Sequence, residues 1–104
     1  MIRRGTTPTF KLYLQSETVD LTQADNVYAT FQQGNVVITK TGADLDVDET
    51  EVDVYLGQSE TLSFYRGFID VQLNWTYSDG SRACSNIVKI DIGENLIPRV
   101  LPEV

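Results

Sequence analysis

"LNWTYSDGSRACS", residues 73–85, decides the fold. Asp79-Gly80 between two alternating apolar runs is the signal of a tight β-hairpin, whose two central residues take positive φ most easily as Asn, Asp or Gly. A two-residue turn there sets Ser78 against Ser81 and carries the pairing back along both strands. Trp75 then faces Cys84, Val71 faces Val88 and Ile69 faces Ile90 on the apolar side, while Asp70 meets Lys89 on the polar side. A slip of one residue loses both agreements, because side chains alternate between faces with period two. Tyr77 opposes Arg82, where ring and guanidinium can stack. The chain's one Trp and one Cys are thus expected to be core neighbours, with an inert thiol, since no His is present to activate it.

The same period extends outward along the chain and predicts an all-β protein. "TFKLYL" places Phe10, Leu12 and Leu14 inward, and "NVYATFQ" places Val27, Ala29 and Phe31 inward. Between them, Val19 and Leu21 anchor an expected short edge strand and loop. Gln33-Gly34-Asn35 turns into a strand where Val36 and Ile38 share a face. Residues 44–56, "DLDVDETEVDVYL", read as two short strands of a hairpin turning at Glu49–Glu51, and "GQSETLSF" permits one helical turn at most. "FIDVQLNWTY" is the longest strand. Seven to nine short strands in about 100 residues predict an immunoglobulin-like antiparallel β-sandwich, although the Cys-Trp-Cys spacing of antibody domains is missing. The sandwich is expected over 1–93, followed by a separate tail over 94–104.

Composition narrows the function. With 104 residues the chain suits one domain. Fifteen acidic against eight basic residues give a net charge of -7, which repels phosphate backbones and anionic membrane surfaces, so neither nucleic acid nor membrane is an expected partner. A single Cys forms no internal disulfide. The N-terminal "MIRRGTTPTF" lacks the apolar run of a signal peptide, and no stretch approaches the length of a membrane span.

Without His the usual general base, the usual metal ligand and every Ser-His or Cys-His pair are gone, so no catalytic residue, cofactor or small-molecule substrate is expected. The acidic run of Asp44, Asp46, Asp48, Glu49, Glu51 and Asp53 begins like a calcium loop. It then places Glu49 where Gly is needed and Tyr55 where the bidentate Glu belongs. Alternation with Leu45, Val47, Val52 and Val54 makes these acids the wet face of two strands, and no metal site is expected. Outward Tyr13 and Tyr28 leave carbohydrate stacking as the alternative reading. After Gly93 alternation ends; Pro98 and Pro102 bar regular pairing in a central strand, yet Leu96, Ile97, Val100, Leu101 and Val104 remain, too much apolar surface to leave wet without a partner. These five form the candidate docking residues, the alternative being that the tail folds back over its own domain.

"TPTFKLYL", "DLTQADNVYATFQQGN", "ITKTGADLDVD", "VYLGQSETLSF" and "VQLNWTYSDGSRACSNIVKIDI" together resemble small tail-module proteins of phages and prophages of Gram-positive bacteria. Their order is also similar to the N-terminal domain of siphophage baseplate upper proteins. The resemblance spans residues 6–93 and implies a non-enzymatic virion or assembly component of β-sandwich fold. Its implied partners are other tail or baseplate proteins or copies of itself, in the virion or in host cytoplasm during assembly. This chain stops at Val104 where the baseplate proteins continue, which points to an adaptor or ring subunit; the alternative is a carbohydrate-binding module that helps a tail grip the cell wall.

Overall fold

Ile69, Val71, Leu73 and Trp75 alternate with exposed or half-buried neighbours and are all nearly inaccessible, so the longest strand forms where the pattern demands it. The computed structural model describes residues 1–14, 18–97 and 99–102. Its strands in chain order are β1 (Ile2–Arg3), β2 (Thr9–Tyr13), β3 (Asn26–Gln33), β4 (Val36–Thr41), β5 (Leu45–Val47), β6 (Glu51–Tyr55), β7 (Gly67–Thr76), β8 (Arg82–Cys84) and β9 (Val88–Gly93). A five-residue helix, α1 (Gln58–Leu62), sits between β6 and β7. It slightly exceeds the single turn expected.

Two sheets share one core. The larger runs β1-β9-β7-β3-β4, with β8 beside β7, and the smaller runs β2-β6-β5. The larger sheet is mixed, because β1 joins β9 in parallel at Ile2–Ile92 and Arg3–Gly93, and it curls as a half-barrel. The expected strand count is met, but one pair is parallel where antiparallel pairing was expected throughout. Val27, Ala29 and Phe31 from β3 meet Val52 and Val54 from β6, and the Phe10 and Phe31 rings, with centroids 5.5 Å apart, tie β2 to β3 across the layers.

The opening hairpin pairs in two registers. Along β9 the expected register holds: Ile69–Ile90, Val71–Val88 and Asp70–Lys89, the last with a 2.7 Å ion pair. At the tip it is displaced by one, so Trp75 faces Ala83 and Cys84 opposes Asn74. The cause is the loop. Ser78–Gly80 form a three-residue connection: Gly80 N–H donates to the Tyr77 carbonyl at 3.0 Å, Tyr77 N–H to that of Ser81 at 3.0 Å, and Gly80 takes φ +88°. That is a type I turn closed by a glycine bulge. Asp79 Oδ1 favours it by accepting from the Ser81 amide at 2.8 Å and hydroxyl at 2.6 Å.

The displacement is undone before β9. Ser85 N–H donates to the Leu73 carbonyl and its hydroxyl accepts from Leu73 N–H, both at 2.9 Å, so Gln72 faces two residues, Asn86 and Ile87. The expectation of Cys84 as a core neighbour of Trp75 is therefore corrected: Cys84 is exposed on the outer face, and small Ala83 takes its place under the indole. Nor does Tyr77 stack on Arg82. Its hydroxyl accepts from Trp75 Nε1 at 3.1 Å, and Arg82 bonds Asn74 Oδ1 at 2.9 Å.

The edge strand expected around Val19 and Leu21 is also corrected among the described residues. Leu21 opens a 3-10 turn, Leu21–Gln23, capped by the Asp20 carboxylate on Thr22 N–H, and its side chain is buried.

Candidate interaction surface

Strand order leaves two edges open on the same side of the molecule. β2 pairs only with β6, so its other edge is free among the described residues. On the facing sheet, β1 covers only the Ile92–Gly93 end of β9. Between the edges runs a groove of about 640 Å³, floored by Val71, Leu73 and Trp75 and walled by Leu12, Leu14 and Val19 on one side and Ala83 and Val88 on the other. Cys84, Ser85 and Asn86 of the bulged segment form its rim, and no charged residue lines it among those described. The bulge is what opens it. Val88 pairs with buried Val71 yet remains 53% exposed, since the strand row ahead of it is interrupted.

Edge strands usually carry a charge that discourages further pairing. β2 has Lys11, but that ammonium folds back over β6, 3.1 Å from Glu51 and 3.7 Å from Asp53. The hydrogen bond that the ammonium donates to Glu51, with the charge of Asp53 behind it, raises the Lys11 pKa. The charge therefore guards the outer face rather than the open edge.

The opposite end of the molecule is built around α1. Thr61 is fully buried and its hydroxyl donates to the Thr6 carbonyl at 2.8 Å. Arg4 satisfies the carbonyls that the helix end leaves free, Phe64 at 2.6 Å and Leu62 at 2.9 Å, and its guanidinium lies 5.3 Å from the Tyr65 ring centre. Lys40, the cross-strand neighbour of Ala29, reaches across from β4 to Glu60 at 2.6 Å. Burial pushes the Glu60 carboxyl up, but the Gly57 N–H and the Lys40 ammonium outweigh it and hold the pKa below the ordinary range. Sequence reasoning missed Arg4, Lys40 and Gln58, whose partners lie far away along the chain.

The tail leaves β9 at this α1 end. Glu94 meets Arg4 at 3.5 Å, and the Gln58 amide bonds both backbone groups of Leu101, accepting its N–H at 2.8 Å and donating to its carbonyl at 3.2 Å. Of the candidate docking residues, Leu96 is fully exposed and Ile97, Val100 and Leu101 are exposed; Val104 lies outside the described residues. No strand follows Gly93 among the described residues.

The other candidates disperse. Tyr13 stands on the smaller sheet and Tyr28 on the larger, so they share no platform. The acidic hairpin closes at Asp48–Glu51 as expected, with Asp46 directly opposite Asp53, and no group of three or more acids or thiols is arranged to hold a metal among the described residues. No helix among them is long and apolar enough to cross a membrane. Comparison with protein-family models, curated proteins and solved structures finds no match.

Proposed function

We propose that this chain is a non-enzymatic adaptor of a phage or prophage tail or baseplate, acting through protein–protein contacts. The observation that carries the reading is the pairing of features at opposite ends: an uncharged apolar groove between two open sheet edges, and a tail that exposes Leu96, Ile97, Val100 and Leu101. Open edges accept extended segments by strand addition, in which main-chain bonds give affinity and side-chain pockets give specificity. The resemblance of residues 6–93 to tail-module proteins supplies the biological setting. The proposal takes the fold as a two-layer relative of the immunoglobulin-like sandwich, distinguished by its curled larger sheet and its parallel β1–β9 pair.

Co-expression with the products of neighbouring genes tests the reading. Retention of a tail or baseplate protein through purification, lost when a charge is placed in the groove, supports it. If none is retained and a glycan array instead gives saturable binding, the carbohydrate-binding alternative replaces it.

A further inference from the structure

The Gln58 side chain bonds across 43 residues of sequence. Its Oε1 accepts the Leu101 N–H at 2.8 Å and its Nε2 donates to the Leu101 carbonyl at 3.2 Å. A side-chain amide holds donor and acceptor in one plane, as a peptide group does, so it meets Leu101 as a neighbouring strand would. The other end of the tail is fastened nearby. Arg3 Nη1 donates to the Glu94 carbonyl at 3.1 Å, and the Glu94 carboxylate lies 3.5 Å from Arg4, which the Leu62 and Phe64 carbonyls hold in turn. Gln58 is the first residue of α1 and Leu62 its last, so the two anchors stand at opposite ends of the helix. Between them Asn95 Oδ1 accepts from Ile97 N–H at 3.0 Å and closes a turn. The tail is thus held through its backbone and its polar groups, while Leu96, Ile97, Val100 and Leu101 stay exposed.

We infer that the described tail residues, 94–97 and 99–102, form a strap latched on α1 by Gln58. Fastened, the strap presents its apolar side chains as an ordered strip; released at Gln58, it is a loose segment anchored only at Glu94. The inference rests on the adaptor reading for what the strip meets, and adds the state in which it is presented. A segment ordered beforehand need not be fixed on binding, so the latch favours contact with a tail or baseplate protein. Gln58 is the catch that can open alone. Its two bonds to Leu101 are neutral and exposed, each worth a few-fold to about tenfold in an equilibrium. Opening them leaves both sheets intact, as local openings do. Arg4, by contrast, also closes the helix end, so losing it would disturb α1 itself.

Amide hydrogen exchange followed by NMR tests this on the full chain and on Gln58→Met, which keeps side-chain length and helix propensity but removes donor and acceptor. In the parent the Leu101 amide should exchange more slowly than in a free peptide. In Gln58→Met its protection should fall at least about fivefold, the least that two such bonds are worth together. Trypsin cleavage after Arg99 should quicken to match, with the melting temperature and the β-strand amides unchanged. A tail protein retained by the parent should bind Gln58→Met more weakly by a similar factor. A Leu101 amide already unprotected in the parent, protection that survives Gln58→Met, or equal affinity for the retained protein overturns the inference. So does a loss shared by the strand amides with a lower melting temperature, which would make Gln58 a folding residue of α1. Exchange needs no partner, so a failed latch leaves the adaptor reading standing; a latch that opens as expected in a chain retaining no tail protein keeps the device and removes that reading.

Discussion

Cys84 and Trp75 differ in fate by one residue of loop. Asp79-Gly80 reads as a two-residue turn, but the Asp79 carboxylate bonded to Ser81 and the positive φ of Gly80 favour a three-residue loop, which turns Cys84 outward. Local hydrogen bonding of this kind does not show in apolar periodicity, so the displacement was not legible, whereas the burial of Trp75 was. Cys84 should therefore react with a thiol reagent in the native state at nearly its unfolded rate; strong native protection would return it to the core. Trp75→Ala should cost about 3–5 kcal/mol by chemical denaturation, as a large-to-small change in a packed site. Gly80 separates conformation from packing: a Cβ there meets nothing within 4 Å, so Gly80→Ala should cost on the order of 1 kcal/mol through backbone strain alone. Gly80→Asn should recover part of it, since Asn tolerates the left-handed region.

Elements were legible where a strand has one wet face. Val27, Ala29 and Phe31 in β3 and the Asp70–Lys89 pair in β7–β9 stand where alternation and charge put them. The contacts around α1 were not, because Arg4 and Lys40 meet carbonyls and a carboxylate that no local spacing links to them. Glu60 gives α1 a pH signature. Its pKa is lower folded than unfolded, so its stabilisation is fully present above the unfolded value, about 4.3, and is lost as pH falls through the depressed folded value. Lys40→Met should accordingly flatten the acid limb of a stability–pH curve; an unchanged limb would show that the pair contributes nothing to folding. The β5–β6 hairpin carries the reverse problem. Asp46 faces Asp53, one of whose carboxylate oxygens is buried without a hydrogen-bond partner. Asp46→Thr removes a like-charge pair and supplies a good strand former, so it should raise the hairpin's contribution by roughly 0.2–1 kcal/mol, read from the denaturation midpoint.

Across the whole molecule, the two sheets cannot stand apart. The smaller has three strands, the least that an independently stable sheet needs, and β5 is only three residues long. Its inward residues Val52 and Val54 are wholly buried, in one continuous cluster with Phe31, Val71 and Trp75 of the larger sheet, and Phe10 against Phe31 binds the layers at ring contact. Losing the smaller sheet would bare the floor of the larger, so the layers must melt together. Trp75 belongs to the larger sheet, yet its fluorescence should report on both. Urea unfolding followed by that fluorescence and by far-UV circular dichroism should give coincident single transitions, the mark of two-state behaviour. Phe10→Ala, in the smaller sheet, should move both midpoints together and leave the slope unchanged, since the surface exposed on unfolding stays nearly the same. A dichroism change that precedes the fluorescence change, or a Phe10→Ala curve that splits into two steps, would mean that the sheets are separate cooperative units and that the shared core joins them only weakly.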